Sequence, residues 1–105
     1  MTAANVAVHT DRTPIRIVIA GEIDMDNAAV VEEQIFIAVD NRATAVQVDL
    51  TNLSYLDSSG LRILFTLANR LQVLQIELDV LAPPGSPARQ VLELAGFDAI
   101  LPLRP

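Results

Sequence analysis

A short polar segment in the middle of the chain contains the residue types best suited to chemistry. Asp57, Ser58, Ser59 and Gly60 follow one another between a predicted strand and a predicted helix. A serine hydroxyl acts as a nucleophile when a base such as His or Lys activates it. The chain has no Lys and no Cys, and its one His, His9, belongs to another segment. A serine in this segment is therefore better suited to accept a phosphate from another enzyme than to act as a catalyst.

Helical spacing distinguishes the two serines. Positions three and four residues apart share one face of a helix. Ser58 begins a polar line, which continues through Arg62, Thr66 and Asn69. Ser59 begins an apolar line with Ile63 and Leu67. We therefore expect Ser58 to face solvent and to be the hydroxyl that another protein can reach.

An ordinary helix start explains the same segment without any function. Asp57 or Ser58 would cap the free amides of the helix, and Gly60 would let its first turn lie close to the sheet. The residues alone leave this structural interpretation open beside the functional one.

Other polar residues are weaker candidates. Glu22, Asp24 and Asp26 could bind a cation, but helix capping and the helix dipole explain them better. Asp49 and Asp57 could form a carboxylate pair, but no acid or base partner accompanies them. His9 has no clustered second ligand, so we expect a structural or surface histidine. The sequence thus predicts no metal site, no cofactor and no catalytic residue.

The elements that must position this segment follow from apolar periodicity and turn residues. The pattern predicts the order β-β-α-β-α-β-α-β, which is an α/β domain with one small, mostly parallel sheet and an antiparallel edge strand at the N-terminus. Residues 51–57 are predicted to be a loop that packs down through Leu53, Tyr55 and Leu56, and Gly21 is predicted to end the second strand. Asp24 or Asp26 is predicted to cap the first helix. The predicted strands are 5–9, 15–20, 45–50, 76–81 and 99–101. The predicted helices run from about 25 to 41, from 58 or 59 to about 72, and from 87 to 94 or 95. The second helix is expected to bury one stripe of residues, which comprises Leu61, Leu64, Ala68 and Leu71.

Composition sets the class of protein. The 105 residues are enough for one domain, 1–105, and 51% of them are apolar, so a hydrophobic core is expected. The net charge of −6 and the scattered arginines argue against binding to nucleic acid or to an anionic membrane. Because no membrane span or signal peptide is evident, a cytoplasmic protein is expected.

Two motifs give the chain a family resemblance. Asp57–Ser58–Ser59–Gly60–Leu61 follows the strand 46–50, and Gly21–Glu22–Ile23–Asp24 follows the second strand. Together, and at this spacing, they resemble the STAS domain of bacterial anti-anti-sigma factors, over nearly the whole chain.

The resemblance implies a partner-switching regulator that is not an enzyme. In that family the unmodified protein binds an anti-sigma factor that is also a serine kinase, which frees the sigma factor. Phosphorylation of the first serine of the motif, here Ser58, ends the binding, and a phosphatase resets the system. The implied partner-binding residues are Asp24, Asp57, Ser58, Ser59, Gly60, Leu61 and Arg62.

The sequence departs from the family pattern in three places. Arg62 replaces a frequent small residue, so the charge of the partner is expected to differ, and Ile23 replaces a common Leu. The chain ends at Pro105, without the terminal helix of many members, which favours weak self-association at the less covered flank. The alternative within the family is a STAS subunit of a transport or stress-signalling assembly that is never phosphorylated. A small enzyme or a nucleotide-binding domain is disfavoured because no glycine-rich phosphate loop is present.

Overall fold

The central sheet joins strands that are far apart in the sequence. In a computed structural model of the chain, residues 3–11, 13–39 and 43–105 are described. Their elements are β1 (Ala4–His9), β2 (Ile15–Ile23), α1 (Ala28–Ala38), β3 (Ala45–Asp49), β4 (Leu53–Leu56), α2 (Ser58–Val73), β5 (Glu77–Leu81), α3 (Pro87–Leu94) and β6 (Leu103–Arg104). A 3-10 turn, Phe97–Ala99, separates α3 from β6.

The strand order confirms the predicted fold class. Along the sheet the order is β1-β2-β3-β5-β6, and β4 pairs with β2. β1 and β2 are antiparallel neighbours, as the short connection between them requires. The other pairs, β2 with β3 and β4, β3 with β5, and β5 with β6, are all parallel. The result is an α/β domain with one mixed, mostly parallel sheet.

One face of the sheet carries the hydrophobic core. The fully buried side chains of β2 and β3 occupy alternate positions, such as Ile17 and Ile19 or Val46 and Val48. These β-branched residues pack well on a pleated surface. The helices contribute buried residues to the same core, namely Val31 and Ile35 of α1, Ile63, Leu64, Leu67 and Leu71 of α2, and Ala88 and Leu92 of α3. A buried Val, Leu or Ile side chain contributes about 1.5–3 kcal/mol relative to an exposed one.

The buried side of α2 is rotated from the predicted stripe. Leu64 and Leu71 are fully buried as predicted, but Leu61 and Ala68 are half-buried. Ile63 and Leu67 take the more central positions. The helix therefore packs on the line that Ser59 begins.

The second strand does not end at Gly21, and residues 51–57 are not all loop. Gly21 has φ +97° and sits where the register of the β2–β4 pair shifts, so the chain continues as a strand to Ile23 through a bulge. A Cβ on Gly21 would collide with the carbonyl oxygen of Ala3, which explains why only glycine fits. Opposite the end of β2, residues 53–56 form β4. Leu53 and Leu56 are buried as expected, whereas Tyr55 is half exposed.

Two further boundaries differ from the prediction. The helix α1 is shorter than predicted because residues 24–27 form a turn before it, and its end at Ala38 precedes an extended Val39. Asn41, the predicted end, and Arg12, in the predicted turn after β1, lie outside the described residues. The predicted strand 99–101 is wrong: the chain makes the 3-10 turn there, and β6 follows Pro102, whose missing N–H disfavours a strand through it.

Candidate partner-binding site at the start of α2

Parallel pairing brings the two sequence motifs together. Ile23 at the end of β2 lies opposite Leu56 at the end of β4. The amide of Asp57 donates to the carbonyl oxygen of Ile23 at 3.2 Å, and the amide of Gly21 donates to that of Asn52 at 3.1 Å. The segments that follow the two strands therefore leave the sheet side by side, with Asp24 after one and Asp57 after the other.

Asp57 caps α2. Its backbone is extended (φ −102°, ψ −164°), as an N-cap residue requires. Its Oδ1 accepts hydrogen bonds from the amides of Ser59 at 2.8 Å and Gly60 at 3.3 Å. The amide of Leu61 donates to the carbonyl oxygen of Asp57 at 3.0 Å. The sequence allowed either Asp57 or Ser58 as the capping residue, and the structure shows that it is Asp57. The Ser58 hydroxyl is therefore not used to cap the helix.

Gly60 lets α2 approach the sheet. It is buried, and a Cβ at this position would lie 2.9 Å from Cβ of Leu56 and 3.4 Å from Cβ and Cγ2 of Ile23. Distances below 3.0 Å require the neighbour to move. The predicted role of Gly60 in close packing is confirmed, and this packing fixes the position of the serines that precede it.

Ser58 faces solvent, as the helical spacing predicted. It is exposed, and so are the other members of its line, which are Arg62, Thr66 and Asn69. Ser59 is half-buried above the buried Ile63, and Leu61 is half-buried against the core. The exposed hydroxyl of the motif is therefore the one at position 58.

A turn at residues 24–27 holds Asp24 near this helix start. The amide of Asp24 donates to Oδ1 of Asn27 at 3.0 Å, and Oδ1 of Asp24 accepts from the amide of Asp26 at 2.8 Å. Nδ2 of Asn27 donates to the carbonyl oxygen of Glu22 at 2.9 Å. The N-cap position of α1 is Asn27, without a side-chain cap bond, so the prediction of Asp24 or Asp26 as the cap was wrong. Asp24 stabilises the turn instead.

A cleft between α1 and α2 adjoins the serines. It encloses about 240 Å³, and its lining residues are Met25, Ala28, Ala29, Glu32, Ser59, Arg62 and Ile63. Met25 is 78% exposed at its rim, and Tyr55 of β4, opposite Glu22, is 50% exposed. Sequence reasoning missed both residues as surface candidates, because Met25 was assigned to a helix and Tyr55 to the packed side of a loop.

The charge around the helix start is mostly negative. Glu22, Asp24, Asp26 and Asp57 belong to the two adjoining segments, and Arg62 is the cation one turn into α2. All except Asp24 and Asp57 are exposed, and these two are half-buried. A protein that docks here would meet these acidic groups and the Arg62 guanidinium.

Asp49 belongs to a different cluster from Asp57. It is buried, and it accepts hydrogen bonds from the amide and hydroxyl of Thr51 and an ion pair from Arg16. Burial raises the pKa of Asp49, but the Thr51 hydrogen bonds and the Arg16 guanidinium outweigh it and hold the pKa below its ordinary value. The two carboxylates have separate partners, so the pair considered from the sequence is not supported.

The described residues contain neither a group of metal-ligating side chains nor a helix that could span a membrane. Within residues 3–11, 13–39 and 43–105, no three His, Asp or Glu side chains are grouped as a metal ion would require. None of the helices in that part of the chain is both long and apolar enough to cross a membrane.

The fold and the exposed serine at a capped helix start define a small α/β domain with a solvent-exposed strand–helix junction. The chain belongs to the STAS domain family, whose model matches residues 5–105.

Three relatives show how close the similarity is. BtrV of Bordetella bronchiseptica, named as a putative anti-sigma factor antagonist, is 35% identical over 79% of this chain and 71% of its own length. The anti-sigma-F factor antagonist RsfB of Mycobacterium tuberculosis is 36% identical over 76% of this chain, but the match spans only 64% of RsfB. A crystal structure of an anti-sigma factor antagonist from Mycobacterium paratuberculosis superimposes with a TM-score of 0.88, with 30% identity, over 98% of this chain and 86% of that one.

Proposed function

We propose that this chain is an anti-sigma factor antagonist that switches partners through Ser58. In its unmodified form it binds an anti-sigma factor with serine kinase activity, and phosphorylation of Ser58 ends that binding. A phosphatase returns the protein to its binding form. The chain itself carries out no catalysis in this proposal, and it acts in the cytoplasm, where transcription takes place.

The observation that carries the proposal is the exposure of Ser58 beside a rigidly held helix cap. Asp57 is bonded both to β2 and to the first turn of α2, so the hydroxyl is presented at a fixed position. The names of the relatives support the anti-sigma factor antagonist part of the proposal. The proposed docking surface comprises Asp24, Asp57, Ser58, Ser59, Leu61 and Arg62, and Gly60, which is buried, positions the others.

The proposed modification is a simple phosphoryl transfer. The Ser58 oxygen attacks the γ-phosphorus of ATP bound to the kinase, the bond between that phosphorus and the bridging oxygen breaks, and ADP leaves. The hydroxyl proton passes to a base on the kinase. This base belongs to the partner in the proposal, because the neighbouring Asp57 carboxylate accepts hydrogen bonds from the amides of Ser59 and Gly60 and His9 lies on β1.

The phosphate is expected to change binding and to leave the fold intact. The amides of Ser59, Gly60 and Leu61 are already bonded to Asp57, so the new group does not have to reorganise the helix start. Arg62 favours the added charge of about −1.5 to −2, and Asp57 opposes it. A partner surface that covers Ser58 would have to desolvate this dianion, which costs several kcal/mol without a paired cation.

A kinase assay tests the proposal. The purified chain is incubated with the anti-sigma factor encoded in the same genome and with ATP, and the phosphate is located by mass spectrometry. We expect modification at Ser58, and none in Ser58→Ala. Thr66→Ala is the matched control, because Thr66 is an exposed hydroxyl on the same polar line. It should be phosphorylated like the parent.

A different result would favour the alternative function, a STAS subunit of a transport or stress-signalling assembly that is never phosphorylated. If the parent, Ser58→Ala and Ser58→Asp all bind a partner equally well, and if no phosphate is transferred, a STAS subunit without phosphorylation becomes the better account. No observation in the described residues favours that alternative over the switch.

A further inference from the structure

Arg62 is an exposed arginine whose guanidinium has no partner within the described part of the chain. Of the seven arginines in the sequence, five lie in that part. Arg16 and Arg104 form ion pairs with carboxylates, and Arg89 donates hydrogen bonds to two backbone carbonyl oxygens. The guanidinium of Arg70 lies over the ring of a phenylalanine. Arg62 is the one among these five that makes no such contact, so its donors remain available to another group.

The guanidinium of Arg62 stays unpaired although acids surround it. Arg62 lines the cleft between α1 and α2, and the half-buried Glu32 lines the same cleft from α1. No ion pair joins these two side chains in the described residues. Asp57, at the start of the same helix, uses its Oδ1 to accept from two backbone amides and forms no ion pair with Arg62 there either. The acids of the chain therefore leave this cation free.

A partner that covers Ser58 also covers Arg62. The two residues are four positions apart on one exposed line of α2, so their Cβ atoms lie about 5–6 Å apart. A specific protein interface covers about 800 Å² on each partner, which is far wider than this separation. The kinase in the proposed function must bring ATP to the Ser58 hydroxyl. Its surface therefore also meets the guanidinium of Arg62.

The partner must supply an acceptor for Arg62. Burying an ion without a partner is strongly unfavourable, and neither Glu32 nor Asp57 pairs with this one. A carboxylate is the best match, because it accepts two parallel hydrogen bonds from a guanidinium. We infer that the anti-sigma factor presents an Asp or Glu carboxylate to Arg62, and that a phosphate on Ser58 takes Arg62 away from it. This inference rests on the proposed function and adds the chemistry by which the switch works.

The phosphate is well placed to capture Arg62. An acidic group four residues before a basic one is the favourable order for an ion pair on a helix. Arg62 is the only basic residue between Arg42 and Arg70 in the sequence, so it is the cation that the helix start offers to a phosphate on Ser58. The backbone amides of Ser59 and Gly60 are already bonded to Asp57. The phosphate oxygens therefore turn to the guanidinium.

The capture of Arg62 makes the switch act twice on one group of the partner. In the unmodified chain, the carboxylate of the anti-sigma factor pairs with Arg62. After phosphorylation, the same carboxylate loses that cation and faces a group with a charge of about −1.5 to −2. Like charges across an interface are unfavourable, so the acid that favours docking before modification opposes it afterwards.

Binding of the unmodified chain to the anti-sigma factor tests the first half. Titration calorimetry should show that Arg62→Gln binds at least about tenfold more weakly than the parent. Arg62→Lys should lie between them, because lysine keeps the charge but not the planar pair of donors. Arg70→Gln is the matched control, since it removes the same charge from an exposed position of the same helix, and it should bind like the parent. Arg62→Glu should recover binding when one Asp or Glu of the anti-sigma factor is replaced by Lys.

Phosphorus NMR of the modified chain tests the second half without any partner. Phosphoserine is placed at position 58 during translation, so that no kinase is required. The pKa of the phosphate should be lower in the parent than in Arg62→Gln, by about 0.3, because the guanidinium favours the dianion. Arg70→Gln should match the parent. The difference should disappear in urea, since it depends on the helix that brings the two side chains together.

The two measurements also separate this inference from the proposed function. Weaker binding in Arg62→Gln, recovery of Arg62→Glu by an exchanged acid, and a phosphate pKa that depends on Arg62 support it, provided that circular dichroism is unchanged. A parent that binds no better than Arg62→Gln overturns the inference and leaves the Ser58 switch intact. An equal phosphate pKa in the two proteins, or no recovery by any exchanged acid, overturns it in the same way. A parent that does not bind the anti-sigma factor at all overturns both.

Discussion

The amide nitrogen of Asp57 donates to the carbonyl oxygen of Ile23 at 3.2 Å, while the carboxylate of Asp57 caps α2. One residue therefore fixes the start of the helix to the end of β2. Because Ser58 is the next residue, its position depends on both bonds. This arrangement gives the hydroxyl a defined location, and it makes the helix start sensitive to changes at Asp57.

Asp57→Ala should destabilise the fold. The substitution removes the oxygen that accepts from Ser59 and Gly60, and loss of such a cap costs about 0.5–2 kcal/mol. Asp57→Asn keeps an acceptor oxygen and should cost less. Urea denaturation of the three proteins measures the free energy of unfolding. Equal stability of Asp57→Ala and the parent would contradict the capping role.

Gly60→Ala should also destabilise the protein, although alanine favours helices. The gain in helix propensity is about 1 kcal/mol. The new Cβ would lie 2.9 Å from Cβ of Leu56, and this contact involves a rigid part of a buried side chain. Overpacking of this kind costs about 1–3 kcal/mol, so we expect a net loss and a weaker presentation of Ser58.

A second variant tests whether the contact at Gly60 involves the Cβ of residue 56 or the rest of the Leu56 side chain. Leu56→Ala removes the neighbouring side chain beyond its Cβ, and it should destabilise the protein by about 2–5 kcal/mol through the cavity. Because the Cβ of residue 56 remains, Gly60→Ala should still be unfavourable in this background. A denaturation midpoint that rises on Gly60→Ala in the parent would show that the helix is free to move away from the sheet.

The local features of the site could be predicted from the sequence. The exposure of Ser58, the half-buried Ser59 and the capping of α2 by one of two residues all follow from helix geometry and side-chain chemistry within a few residues. The start of α3 was predictable for the same reason, since Ser86 caps it and Pro87 occupies its first turn. Patterns that depend on neighbours in the sequence were therefore sufficient here.

The features that depend on distant segments could not be predicted. β4 is only four residues long and is a strand because the end of β2 lies beside it. The bulge at Gly21 lies where the register of the β2–β4 pair shifts, so it depends on a strand that is distant in the sequence. Asp24 offered the correct chemistry for a helix cap, but the turn through Asn27 places it outside the helix. These outcomes follow from tertiary contacts that one sequence does not reveal.

Stability should fall in acid through Asp49. Its folded-state pKa is lower than the ordinary value of 3.8 because Thr51 and Arg16 favour the carboxylate over the effect of burial. The folded state thus binds this proton less readily than the unfolded state does. The stabilisation is present above the ordinary pKa, and it is lost as the pH falls through 3.8 toward the lower folded value.

Asp49→Asn isolates this contribution. The variant should lose about 1–3 kcal/mol at pH 7, because a charged acceptor of several hydrogen bonds is replaced by a neutral one. Its unfolding free energy should also change less than that of the parent between about pH 5 and pH 3. Asp98→Asn, at an exposed position, should behave like the parent. Equal acid sensitivity in Asp49→Asn would assign the effect to other groups.

Ser58→Asp should weaken binding to the anti-sigma factor while the fold stays unchanged. The variant places one negative charge beside Asp57 and next to the acidic groups of the turn at residues 24–27, where a docked partner excludes water. We expect affinity to fall about tenfold or more, and less than for the phosphoprotein, which carries the larger charge of about −1.5 to −2. Thr66→Asp adds the same charge on the same polar line two turns further along α2, and it should bind nearly as well as the parent.

Titration calorimetry measures the affinities, and circular dichroism with thermal melting measures the fold. A loss of binding that is equal in the two variants would point to general charge repulsion, and a lower melting temperature in Ser58→Asp alone would show that the helix start itself had been disturbed.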